Sequence, residues 1–170
     1  MSILMPILVG YVALALQATL VPHLGIAGIR PDLPLVATAM IALGRGATAG
    51  TTAGFLIGLG QDLTNPAFLG LNALAKSLLG HGLGTLRERF DAGTAATHVA
   101  VLFVATILHD LLYLTIYMRL VLSEIMLALA TRTLPTAVYT ALVGMCAFAL
   151  LAPMSGRRSS RFGRSRIASQ

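Results

Sequence analysis

Charge is scarce in this sequence. Asp, Glu, Lys and Arg make up only 11% of its 170 residues, against about a quarter in a water-soluble domain, which leaves too little polar surface to face water on all sides. The single cysteine, Cys146, excludes an intramolecular disulfide. No Cys/His cluster has metal-ligand spacing, and His23, His81 and His98 stand alone near the ends of apolar segments. A nucleophile elbow, a phosphate-cradling glycine loop, an HExxH helix and a pair of carboxylates at catalytic spacing are all missing. A non-enzymatic chain with no cofactor and no metal is therefore expected.

Apolar residues are what the sequence has in abundance: 56% of the chain, with a mean hydropathy of +0.84. Because a bilayer admits only backbone that satisfies its own hydrogen bonds, and a helix of about 20 apolar residues spans it, the expected fold is all-α, a polytopic membrane bundle of about six helices. The six segments are Ile3 to Val21, Leu33 to Leu43, Ala47 to Gly60, Phe68 to Leu86, Thr97 to Tyr117 and Leu134 to Ala152. The second and third are short. The first has no basic flank and carries no charge before Arg30, so it reads as a retained span rather than a cleaved signal. Residues 1–153 form a single transmembrane domain on this reading, and 154–170 a basic tail without a core-forming pattern. The stretch from Arg119 to Arg132 is either an interfacial helix on the outer surface, with Leu122, Ile125 and Met126 as a docking patch, or the beginning of the sixth span.

Six spans place both termini on one side. That side carries Arg45, Arg87, Arg89 and the tail residues Arg157, Arg158, Arg161, Arg164 and Arg166, against Arg30, Arg119 and Arg132 on the other. The positive-inside rule makes the termini cytoplasmic. Net charge is +6, but the tail arginines directly follow a span and suit anionic lipid headgroups. With only Phe162 interleaved, they do not read as a nucleic-acid surface.

Three polar or small-residue patterns stand out within the apolar segments. Gly46, Gly50, Gly54 and Gly58 advance four residues at a time towards Asp62, so they share one slowly drifting helix face. Such a ladder admits a neighbouring backbone, or lines a cavity. Lys76 lies inside the fourth segment, where an ammonium costs at least ~2.5–3.5 kcal/mol, and it needs a partner or a ligand. Its depth of roughly 12 Å resembles the roughly 10 Å of Asp110, which makes Asp110 the expected partner and Asp62 the alternative. Thr106, His109, Tyr113 and Tyr117 place polar groups on neighbouring turns beside Asp110, and Asn72 shares the face of Lys76. This set reads as a polar seam between helices or as a proton relay. Gln17 is an isolated polar residue of the first span.

Taken together, IRPDLPLV and GATAGTTAGFLIGLGQDLTNPAFLGLNALAKSLLG resemble the bacterial rod shape-determining MreD family. The residues that carry the resemblance are Arg30, Pro31 and Asp32, then Gly54, Phe55, Gly58, Leu59 and Asp62, then Leu69, Gly70, Ala73, Leu74, Lys76 and Gly80. They fall between about Gln17 and Leu86; the second half is only generically hydrophobic. The resemblance implies a non-enzymatic scaffold of the inner membrane, part of the elongation machinery for lateral peptidoglycan synthesis. It would bind the bitopic protein MreC and act with MreB, a RodA-type glycosyltransferase and a class B penicillin-binding protein. It also implies a fold like the substrate-binding subunit of energy-coupling-factor transporters, from which the alternative follows: a small-ligand-binding subunit of a vitamin-type transporter, with Asp62, Lys76 and Asp110 near its pocket.

Overall fold

The computed structural model describes residues 4–64, 69–87, 95–117 and 122–155, and apart from one isolated bridge between Ile26 and Ile29 their regular structure is helical. The helices are α1 (Leu4–Thr19), α2 (Leu33–Arg45), α3 (Ala47–Asp62), α4 (Leu71–Leu86), α5 (Ala95–Tyr117), α6 (Leu122–Ala128) and α7 (Leu134–Ser155). A π turn, Leu129–Thr133, joins α6 to α7, with the Leu134 N–H bonded to the Leu129 carbonyl. The stretch beginning near Arg119 is therefore, from Leu122 onward, the leading part of the last helix. Met126 on it is exposed and Ile125 half-buried. Arg89, Arg119 and most of the basic tail lie outside the described residues, as do the side chains of Tyr117 and Leu122.

Helix α2 starts and stops for local reasons. Asp32 caps it by accepting the Leu35 N–H at 2.9 Å, and Pro34 occupies its first turn. At the other end Gly46 takes φ +93°, a left-handed value that favours glycine, and α3 begins at the next residue. The Gly46 N–H still bonds the Ala42 carbonyl at 2.8 Å, so the corner is one residue long.

Buried on nearly all sides, α2 is the centre of the bundle. Ala37 and Ile41 pack with Ala13 of α1 and Ile57 of α3, whereas Val36 and Ala39 pack with Leu102 of α5 and Ala141 of α7. The outward faces of the other helices are apolar: Leu8 and Tyr11 on α1, Phe55 and Leu56 on α3, Leu78 on α4, Val104 on α5 and Leu142 on α7 are all exposed. A soluble monomer rarely leaves so much apolar surface uncovered.

Two of the helical runs, Thr97–Thr115 and Glu124–Leu150, are long and apolar enough to cross a membrane. Helices α1, α3 and α4 have 16 residues each and α2 has 13, so they rise ~20–24 Å against a hydrocarbon thickness of ~30 Å.

The most extensive packing joins α3 to α4, and it is made by glycine. A Cβ added at Gly50 would fall on the Gly80 carbonyl, one at Gly54 on the Lys76 carbonyl, and one at Gly58 on the Asn72 carbonyl and, at 2.6 Å, on the Ala73 Cα. Each four-residue step up α3 is thus matched by a four-residue step down α4. Gly80 and Gly84 complete the fit from the α4 side, against the backbones of Gly50 and of the Gly46–Ala47 corner. The ladder brings two backbones into contact, as small-xxx-small faces do in membranes.

Gly54→Leu is accordingly expected to cost at least the ~1–3 kcal/mol of an overpacked core, because the clash is with backbone that cannot rotate away. Gly82→Ala, at a helical position with nothing within 4 Å, should leave stability unchanged or slightly raised. Unfolding of both variants in detergent micelles by SDS titration checks the pair.

Candidate functional site

The polar side chains of the bundle converge where the N-terminus of α2 meets α4 and α5. Lys76 is wholly buried, and its Nζ donates to Asp32 Oδ2 at 2.8 Å. The ion pair therefore runs from α4 to the cap of α2. This differs from the pairing expected from depth: Asp110 and Asp62 each have other partners.

Asp110 sits beside His109, with Oδ1 3.2 Å from Nδ1 of that ring. The other ring nitrogen, Nε2, lies 3.0 Å from Lys76 Nζ and 3.2 Å from Asn72 Oδ1. An ammonium has no lone pair to accept a hydrogen bond, so the partners assign the proton of a neutral ring to Nδ1, which donates to Asp110 while Nε2 accepts from Lys76. Tyr113, one turn on, stacks against His109 with ring centroids 6.4 Å apart. Thr106 turns back on its own helix, donating to the Leu102 carbonyl at 2.8 Å.

Asp62, at the end of α3, is buried and serves as an external cap for α4. Its carboxylate accepts from the backbone N–H groups of Gly70 (2.9 Å), Asn72 (3.1 Å) and Ala73 (3.1 Å), and from Asn72 Nδ2 at 2.9 Å. The first N–H groups of a helix have no partner within it, and a negative charge there complements the helix dipole. Gly70 starts α4 with φ +98° and has no side chain to cap it, so the neighbouring helix supplies the carboxylate. Asn72 Oδ1 lies beside His109 Nε2, a contact between two acceptors in the tautomer assigned above, so the Asp62 cap neighbours the His109 ring without a hydrogen bond to it.

The start of α2 is clamped in the same way. The Asp32 N–H donates to Thr140 Oγ1 of α7 at 3.1 Å, and the Leu33 N–H to Gln17 Oε1 of α1 at 2.9 Å. One connected set, from Thr140 through Asp32, Lys76 and His109 to Asp110, thus reaches α7, α2, α4 and α5, with Gln17 tying in α1, and Asp62 with Asn72 joins α3 to α4 alongside it. Of the residues that carry the family resemblance, Asp32 and Lys76 belong to the connected set and Asp62 to the cap beside it. Gly54, Gly58 and Gly80 make the close α3–α4 contact, Pro31 is buried before the cap, and Arg30 and Phe55 are exposed.

Asp32 is the member that depth arithmetic on long spans does not find. The signal for it is the 13-residue length of α2: a helix too short for a full span gives no reason to count depth from its first residue, so its capping carboxylate is a candidate partner for Lys76. Among the described residues no group of three or more His, Cys, Asp or Glu side chains is arranged to hold a metal.

Comparison with protein families matches residues 1–154 to the rod shape-determining protein MreD. The chain belongs to the MreD family. Searches of curated proteins and of solved structures returned no significant match. Membership identifies a membrane protein of the rod-shape-determining type, and the MreD match runs beyond the motif region to take in α5 to α7. In this MreD-family chain Lys76 and Asp32, 44 positions apart in sequence, come together as a buried ion pair.

Removing one partner of a buried pair costs about 3–5 kcal/mol, because the other charge is left without compensation. Lys76→Met should therefore lower stability by about that amount, and adding Asp32→Asn should recover most of the loss. Adding Asp110→Asn instead should recover little. A double-mutant cycle on unfolding free energy distinguishes the two pairings: coupling to Asp110 rather than to Asp32 would refute the one described.

Proposed function

We propose that this chain is a non-enzymatic, multi-pass scaffold of the bacterial inner membrane that holds an MreC-like bitopic protein within the elongation machinery and so supports lateral peptidoglycan synthesis. Family membership over residues 1–154 carries the reading. The architecture is compatible with it: the polar groups are spent on one another inside the bundle, and the outward surfaces are apolar helix faces of the kind a single transmembrane helix can pack against. A RodA-type glycosyltransferase, a class B penicillin-binding protein and MreB belong to the same proposed assembly, and the basic tail would rest on anionic lipid.

On this reading all six helical runs cross or enter the bilayer, with both termini cytoplasmic. The short α1 to α4 would be accommodated by local thinning of the bilayer or by the inset of the α2 N-terminus. The architecture would be that of a transporter substrate-binding subunit put to another use. A vitamin-type transporter role would need Lys76, Asp62 or Asp110 to address a ligand. Lys76 and Asp62 are instead satisfied by helix caps and neighbouring side chains, which favours the scaffold.

Tagged protein purified from native membranes in mild detergent should bring down a single-span periplasmic coiled-coil protein together with cell-wall synthases, and depletion should turn rods into spheres. Recovery of ATPase subunits in place of those partners, with cell shape intact on depletion, would replace the scaffold by the transporter.

A further inference from the structure

The cluster around Lys76 does not balance its own charges. Lys76 is matched by Asp32 at 2.8 Å, and the His109 ring, whose Nε2 accepts from the same ammonium, is neutral. One carboxylate is left over, that of Asp110. Its Oδ1 takes the Nδ1 proton of His109, while Oδ2 has no partner among the described residues, and no described arginine pairs with it.

Asp110 is the only acidic or basic residue of the apolar run Thr97–Thr115. It lies five residues from the end of that run, ~7–8 Å of helix rise inside it. Within the cluster its side chain is also the most open, 28% exposed against 15% for Asp32, 7% for His109 and none for Lys76. Leu111 beside it and Thr115 a turn further on are exposed as well, so the carboxylate stands at the edge of an outward helix face.

Charge complementarity selects the occupant. A charge at membrane depth is expensive until it is paired, and a free ion would have to shed its hydration to arrive there. A basic side chain on a neighbouring membrane helix is brought to that depth by the helix, with its apolar stem lying in hydrocarbon. A guanidinium fork can take the open Oδ2 together with the remaining lone pair of Oδ1.

We propose that Asp110 is the docking carboxylate for a partner's transmembrane helix that carries an arginine or lysine within about two turns of the corresponding end of its apolar run. The assignment rests on reading the chain as a scaffold for a single-span protein. Its test uses a model helix in place of a cellular partner, so failure here would leave that reading standing.

Cys146 is the only cysteine and is exposed, so it takes a donor fluorophore in otherwise unchanged protein. In phosphatidylcholine vesicles the labelled protein is offered acceptor-labelled Leu/Ala helices of about 20 residues, with arginine, glutamine or glutamate five residues inside one end. The arginine helix should reach half-maximal energy transfer at about fivefold or more lower peptide-to-lipid ratio than the glutamine helix, the factor an interhelical polar contact provides in a bilayer. The glutamate helix should associate least. In Asp110→Asn, whose amide oxygen can still accept from His109, the arginine and glutamine helices should coincide. Equal association of those two helices with the unchanged protein, as a proton, an ion or a second copy already in place would give, overturns the proposal, and so does an arginine preference that survives Asp110→Asn.

Discussion

A buried lysine cannot be left alone in an apolar bundle, and the contact between Lys76 and Asp32 is the constraint around which the other helices are arranged. Burying two charges is expensive even when they are paired, and the geometry has to supply further hydrogen bonds to the atoms left over. It does so on both sides. Asp32 uses its second oxygen to cap α2, and Lys76 reaches the His109 ring, which is held in turn by Asp110. The pair ties the middle of α4 to the beginning of α2, and α2 is the helix that both core clusters share.

The glycine face of α3 serves the same end. The Lys76 backbone is pressed against Gly54, so no side chain can separate the two helices at that level. With α3 and α4 locked at backbone distance, Asp62 is brought over the first N–H groups of α4. The turns on either side of Lys76 are then fixed by two different means, glycine contact along the helix and a carboxylate at its end. The polar groups around Lys76 are thereby gathered inward, and the outward helix faces carry many large apolar residues.

Much of this can be read from the residues themselves. The positions of the helices follow from apolar runs punctuated by Pro22, Pro31, Pro34 and the Gly44–Gly46 corner, and the four-residue glycine step announces a close contact whose partner turns out to be α4. Lys76, Asn72, His109 and Asp62 are recognisable as polar groups out of place in apolar segments. Which of them pair is a tertiary fact. Depth counted along separate helices assumes that each begins at the membrane surface, an assumption that a helix of 13 residues does not license, and Asp32 is hidden in what reads as a turn. Asp62 offers a similar lesson, because its role is created by Gly70, a residue that begins a helix without a side chain to cap it. α6 continues into α7 through the π turn Leu129–Thr133, for which no residue pattern is diagnostic.

Lys76 is the only lysine in the sequence, so a ζ-¹⁵N lysine label reports on this site alone. The most direct measurement is magnetic-resonance dipolar recoupling, in lipid vesicles, between that nitrogen and ¹³C-labelled aspartate carboxyl groups. The account predicts a strong short-range coupling that disappears in Asp32→Asn and persists in Asp110→Asn. A coupling that survives Asp32→Asn and is lost in Asp110→Asn would contradict it.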